Sequence, residues 1–316
     1  MAIKSYKGFD KNLRCRDFQY KIGGIYEMDG EIKVCSRGFH ACESPFDVFD
    51  YYTMIDSRFC EVEQDGNISK EDRRTKICSS KIKIKTELKL ADMINLGIEW
   101  LKEITLPEKI KTSIKDNSSG NYAQIGSSGD GAKIGSSGNN AQIGSSGNNA
   151  KIGSSGDGAK IGSSGYDAKI GSSGYDAQIG SSGNNAKIGS SGYDAKIGSS
   201  GYDAKIGSSG NNAQIGSSGN NAKIGSSGDG AKIGSSGNNA KIDSTGKDCV
   251  IMCAGINSVA KASKGSWITL SEWSYSEGKQ RYIPICVKTE FVDGEKIKAD
   301  TYYSLKGGVF VEWIND

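Results

Sequence analysis

Histidine is almost absent: His40 is the only one in 316 residues. Without it no Ser-His-Asp triad and no multi-histidine metal site can form. Proline is scarce, with three residues, which excludes a proline-rich linker protein. Neither sign of charge dominates. Lys and Arg number 40 against 37 Asp and Glu, a net +3, so only the placement of charge can indicate a partner. Long apolar runs are missing too. Nothing approaches the roughly 18 residues of a membrane span, and Met1–Phe9 is polar, unlike a signal peptide. The expected location is therefore the cytoplasm, with no membrane partner. The eight cysteines then read as free thiols, and the sequons at Asn67 and Asn117 carry no meaning.

What is abundant is glycine, 44 residues, and its placement is periodic. From Ala123 to Ala240 an alanine recurs every nine residues, fourteen times, each followed two residues later by isoleucine. Within Ala-x-Ile the flanks are apolar and the middle is Lys or Gln, the period-2 pattern of a strand with one buried face. The remaining Gly-Ser-Ser-Gly-x-x is turn chemistry. One unit cannot bury its Ala and Ile alone, but stacked units can, and a fixed period of this length implies a solenoid. Two glycines per unit would cost a helix about 2 kcal/mol, so the solenoid is β. A disordered Gly/Ser tract would have no use for the strict Ala-x-Ile beat.

The residue between Ala and Ile sets the coil. Every second unit carries lysine: Lys133, Lys151, Lys169, Lys187, Lys205, Lys223 and Lys241. The other set is mixed: Gln124, Gln142, Lys160, Gln178, Lys196, Gln214 and Lys232. The structural repeat is therefore 18 residues, two units per coil, with about seven coils from 123 to 248. At about 4.8 Å per coil the rod is roughly 34 Å long. Ala, Ile and the first Ser are expected to point inward, with that Ser in a bonded hydroxyl ladder. Lys or Gln, the first Gly and the second Ser point outward.

The fold class is thus mainly β: a parallel β-solenoid at 117–262, preceded by an α+β domain at 1–116 and followed by a β-meander cap at 263–316. In the first domain, strands are expected at Tyr6–Phe9, Phe18–Ile22, Glu31–Cys35, Arg58–Glu63 and Lys81–Lys85. A helix starts at Ser44-Pro45 and runs through Tyr52. Another spans Leu88–Ile104 and stops before Pro107. In the cap, strands are expected at Ser266–Trp273, Arg281–Val292 and Tyr302–Trp313, with turns at Asp293-Gly294 and Gly307-Gly308, covering an otherwise exposed solenoid end.

The motif Gly38-Phe39-His40-Ala41-Cys42-Glu43-Ser44-Pro45-Phe46-Asp47-Val48 resembles a family of nonapeptide-repeat proteins met mostly in phages and prophages. The likeness extends to Trp267–Trp273 and to Val292-Asp293-Gly294-Glu295-Lys296-Ile297. It implies a phage accessory protein, with no activity and no site residues to carry over. A looser resemblance runs to ADP-ribosyltransferase-like folds, through the Tyr6-Lys7-Gly8 strand, the Gly38-Phe39 turn, the short helix and the strand Arg58–Glu63. The catalytic glutamate of those folds has no counterpart here.

Chemical motifs are few. Cys35, His40, Cys42 and Cys60 lack the spacing of a zinc site, and they read as core thiols around a turn histidine. The repeat recalibrates poorly to calcium: Gly-x-x-Gly-x-Asp holds at only four units, and Lys takes the large apolar place. No phosphate-binding glycine loop lies between a strand and a helix. No catalytic residue, metal or cofactor is therefore expected. The candidate binding residues are the seven-lysine row, Lys133 to Lys241, and the mid-rod tyrosines Tyr166, Tyr175, Tyr193 and Tyr202, each followed by Asp. The row could equally serve solubility and protect against sheet stacking. Edge acids at 130, 157, 167, 176, 194, 203 and 229 offset its charge, which weakens a nucleic-acid reading.

The sequence thus leads to a non-enzymatic phage-type protein whose rod recognises a host or defence protein, or another anionic partner including nucleic acid, as an anti-defence inhibitor. Two alternatives stand beside it: an ADP-ribosyltransferase-like enzyme with the rod as scaffold, and a phage structural or fibre component. A homo-oligomer is compatible with each.

Overall fold

The computed structural model describes the chain apart from Met1, Ile55, Ser119 and residues 71–74, 106–116 and 315–316. The expected stop at Pro107 and the domain boundary at 116 lie outside the described residues. Contacts divide the chain into two units, Met1–Trp100 and Leu101–Asp316.

In the first unit five strands form one antiparallel sheet. Their order is Ile25–Glu27, Lys76–Leu88, Phe39–Cys42, Ile3–Phe9, Arg58–Lys70. Lys76–Leu88 also pairs with Arg58–Lys70, so four of the strands close into a ring, with Ile25–Glu27 added beside Lys76–Leu88. Inside lie Phe9, Phe39, Cys60, Val62, Ile82 and Ile84. Along Arg58–Lys70 the alternation places Cys60, Val62 and Gln64 in the interior.

Three local expectations fail for identifiable reasons. Glu31–Cys35 is a turn, because Cys35 has φ 65° and Lys33 bridges back to Arg37. Only Phe18–Gln19 of Phe18–Ile22 is a strand, paired with Arg14–Cys15; Gly24 then closes a turn onto Lys21. The helix from Pro45 ends at Val48. The amides of Phe49, Asp50 and Tyr51 bond three residues back, to Phe46, Asp47 and Val48, which tightens the chain into turns and buries Phe46, Val48 and Phe49 together. The later helix is present, Leu90–Ile104. Met93, Ile94 and Ile98 form its buried stripe, and Gly97 lies where any Cβ would meet the Phe46 ring at 2.7 Å.

The second unit is the solenoid. Each strand pairs in parallel with the strand 18 residues on, in strict register: Lys151 with Lys169, Ile152 with Ile170, Gly153 with Gly171 and Ser154 with Ser172. The lysine row and the mixed row belong to two separate sheets of eleven and ten strands. The stack outlasts the regular repeats. Val250–Cys253, Val259–Ala262 and the start of Trp267–Ser276 continue it, giving about eight turns over 124–270. Beyond them the last strands divide between the sheets. Arg281–Phe291 folds back on Trp267–Ser276, while the hairpin of Tyr303–Lys306 and Val309–Glu312 joins the lysine-row sheet through Ala260 and Tyr303. Isoleucine and alanine fill the interior, from Ile125 to Leu270.

The first Ser of each unit is buried as expected, from Ser136 to Ser244. The expected hydroxyl ladder is absent: from Ser127 to Ser244 these hydroxyls have no hydrogen-bond partner among the described residues. Strict register explains this. Translation by one coil brings Oγ above Oγ, while the backbone groups beside them are already spent on the ladder between coils.

Candidate functional site

The coil edges follow a rule that the composition of the repeat obeys. The last residue of a unit adopts a left-handed backbone: Asn140 at φ 56°, Asp167 at 55°, Gly158 at 64°. Only Gly, Asn and Asp reach that region at low cost, and only these three occur there from Gly131 to Asn239. The residue before it does a second job when it is Asn or Asp. Its Oδ1 accepts the backbone N–H of the equivalent residue one coil on: Asn139 donates to Asn121 (2.9 Å), Asn148 to Asp130 (2.8 Å) and Tyr166 to Asn148 (2.9 Å).

Tyrosine has no oxygen at that position. Tyr166, Tyr175, Tyr193 and Tyr202 therefore each give up one of these ties to the following coil. All four are about half exposed, at 57, 55, 46 and 54 %. Tyr175 and Tyr193 stack, with rings 5.4 Å apart and 11° from parallel.

The two faces of the rod differ in exposure. On the lysine face Lys133 is exposed, Lys151, Lys169, Lys205, Lys223 and Lys241 are half-buried, and Lys187 is only 4 % exposed. Thr105 lies over Gly135 and Gly153, close enough that a Cβ on either would meet it at 3.1 Å or less. At the other end the Lys241 ammonium sits 4.3 Å from the Tyr302 ring and 4.2 Å from the Trp313 ring. Lys261, beside it, pairs with Asp243 at 3.1 Å. The mixed face is open. Gln142, Lys160, Gln178, Lys196, Gln214 and Lys232 are all exposed. With the glycines beside them they line a groove of about 1100 Å³.

Those glycines have no steric reason to be glycine. At Gly144, Gly162, Gly180, Gly198 and Gly216 an added Cβ meets nothing within 4 Å, and none has a positive φ. The second glycine of each unit is the opposite case: a Cβ on Gly165 would lie 2.0 Å from the Gly147 carbonyl oxygen of the preceding coil.

In the first unit the structure joins the two motifs around Lys7 and His40. Lys7 Nζ donates to the His40 carbonyl (2.9 Å). The His40 ring accepts the Cys35 amide at Nε2 (2.9 Å). Burial, then the nearby Lys76 charge, lowers the His40 pKa. Cys42 and Cys60 are buried, and burial pushes each thiol up to about 12. Among the described residues no three His, Cys, Asp or Glu side chains are grouped to hold a metal.

Sequence reasoning missed the Oδ1 ties and the unequal exposure of the faces. The first had a visible signal: Asn and Asp alternate at one position while tyrosine intrudes at four. The second had none, because it depends on which chain segments return to the rod.

Residues 3–96 match the family model of a domain of unknown function (DUF7666). No curated protein and no solved structure matches the chain.

Proposed function

We propose that this is a non-enzymatic binding protein whose solenoid grips an acidic protein surface, with Tyr166, Tyr175, Tyr193 and Tyr202 as anchors along the two edges that flank the mixed face. One observation carries the reading: at these four positions the rod forgoes an Oδ1 tie that its other coils make, and exposes an aromatic ring instead. Large exposed rings are the usual energetic centres of protein interfaces, and Tyr175 and Tyr193 form a stacked pair at mid-rod. Lys160, Lys196 and Lys232 are exposed on the mixed face at every second coil, about 9.6 Å apart, and supply positive charge. The lysine row, half-buried for most of its length, contributes less. The phage-type resemblance at 38–48 suggests a host or defence protein as the partner.

The test is capture from a bacterial host lysate by three forms of the full chain. These are the natural sequence, the Tyr166→Asn, Tyr175→Asn, Tyr193→Asn, Tyr202→Asn variant, and a Lys151→Gln, Lys169→Gln, Lys187→Gln, Lys205→Gln variant. The reading expects a partner held by the first and third forms and lost by the second, although the tyrosine variant regains its coil-to-coil ties and melts no lower. Equal capture by all three overturns the tyrosine assignment. Loss only in the lysine variant moves the site to the other face. Loss of the captured species on nuclease treatment replaces the protein partner with a nucleic acid.

A further inference from the structure

The first unit holds a cavity of about 1020 Å³ between Ile3–Phe9, Phe39–Cys42 and the residues after the short helix. Its floor contains Lys7, only 4 % exposed. The Lys7 ammonium reaches the His40 carbonyl (2.9 Å) and Cys15 Sγ (3.5 Å), and it lies 5.5 Å and 5.6 Å from the Phe9 and Tyr20 rings. No carboxylate is among these neighbours. A buried cation without an acid is costly, and burial accordingly lowers the Lys7 pKa. Beside it the Tyr52 hydroxyl donates to Cys15 Sγ (2.9 Å). Tyr52 can lie there only because residue 8 is glycine, where a Cβ would meet its ring at 2.4 Å.

The cavity wall adds to this. Arg16 and Lys76 also line it, against Asp17 and Glu27, and Glu27 is already ion-paired with Lys81. Arg16 and Cys35 line it with left-handed backbones, at φ 54° and 65°. In the repeats that conformation is confined to Asn, Asp and Gly, from Gly131 to Asn239. Arg and Cys held there are strained, and such strain gathers at binding sites. Phe18, Tyr20 and Tyr26 meet edge to face at 4.8–5.3 Å. Phe18 is 46 % exposed at the cavity wall. A concave apolar wall with a few converging polar groups is the usual form of a small-molecule site.

We propose that this cavity binds a small organic anion bearing an aromatic ring, its charge meeting Lys7 and Arg16 and its ring meeting Phe18 and the neighbouring tyrosines. The anion supplies the negative partner that the protein itself withholds from Lys7. This site is independent of the tyrosines on the rod.

Calorimetric titration of the full chain tests it, with AMP, 2-naphthoate, inorganic phosphate and adenosine as probes. AMP or 2-naphthoate is expected to bind at least tenfold more tightly than phosphate, which lacks the ring, and AMP more tightly than adenosine, which lacks the charge. AMP alone binding names a phosphate ester; 2-naphthoate alone names a carboxylate. Lys7→Met, which keeps the buried stem, is expected to weaken binding at least tenfold. Should it fail to fold, judged by circular dichroism, the double variant Arg16→Gln, Lys76→Gln decides, with the same loss expected. No binding of any probe up to millimolar concentration overturns the proposal. So does affinity unchanged in the folded variants, or adenosine binding as well as AMP.

Discussion

Gln64 and Ser163 are both buried polar residues on β-strands, and the two units treat them differently. In the first unit Gln64 Nε2 donates to the Phe39 carbonyl (2.7 Å) and to Ser79 Oγ (3.1 Å), while its Oε1 accepts from Ser5 Oγ (2.9 Å). In the solenoid Ser163 has no partner among the described residues, and neither do its copies above and below. A fold whose residues each occur once can match each polar group to its own neighbour. A repeat can use only neighbours that translation by 18 residues supplies. Glycine shows the same contrast. Gly8 and Gly38 make room for single side chains, Tyr52 and Cys78, whereas the second glycines of the repeat make room for the backbone of their own copies.

The largest test of this contrast is Gly165→Ala. Its Cβ would stand 2.0 Å from the Gly147 carbonyl oxygen, and backbone cannot move without parting two coils. We expect a loss of about 3 kcal/mol in chemical denaturation. Gly162→Ala, three residues away on the mixed face, meets open space and should stay within about 0.5 kcal/mol. Equal effects would show that coil approach is not what selects glycine. Next in size is Gln64→Leu, which strands the Ser5 and Phe39 groups. A cost of about 2 kcal/mol is expected. Ser163→Ala removes a hydroxyl without a partner among the described residues, so denaturation should show no loss, or a gain of about 1 kcal/mol. A loss in Ser163→Ala matching that of Gln64→Leu would mean that the rod hydroxyls are bonded in solution.

The two units also differ in how far the sequence discloses them. The 18-residue coil was legible, because lysine recurs without exception at every second unit and a register of 18 is the only one that stacks those lysines. The inward set Ala, Ile and first Ser followed from period-2 alternation. The first unit disclosed its long strands and its second helix but not its turns. Cys35 at φ 65° ends Glu-Ile-Lys-Val-Cys, which alternates like a strand, and the turn is held by contacts that alternation does not show: the Cys35 amide on His40 and Lys76 on Cys35 Sγ. The tyrosines were legible as exceptions to a repeat, and the structure adds what each exception forgoes. The burial of Lys7 was not legible: both faces of Ile3–Phe9 are covered from Ser5 onward, so alternation there says nothing.

A smaller effect separates the two faces of the rod. Lys241→Met removes the ammonium from between Tyr302 and Trp313 and should cost about 1 kcal/mol. Lys160→Gln copies what the mixed face already carries at Gln142 and Gln178, and thermal melts should not separate it from the natural protein. If Lys241→Met is equally silent, the aromatic pair contributes packing and not charge recognition.

The smallest effect lies in pH dependence, and it separates the units by window. Lys7 has its pKa lowered by burial, so between its folded value and the ordinary value of about 10.4 the unfolded chain holds a proton that the folded chain has released. Stability therefore rises with pH through that window and is flat below it. Glu290 has its pKa lowered, first by its bond to Lys296 and also by Lys288. Its contribution is complete above the ordinary carboxylate value of about 4.3 and fades as pH falls through the depressed one. In urea midpoints the natural protein should gain on Lys7→Met as pH rises through that window, with the difference constant below it. Against Glu290→Gln the midpoints should converge on the acid side only. Parallel curves for Lys7→Met at every pH up to about 10.4 would mean that the buried amine keeps its proton in the folded protein, held there by Cys15 rather than left without a counter-charge.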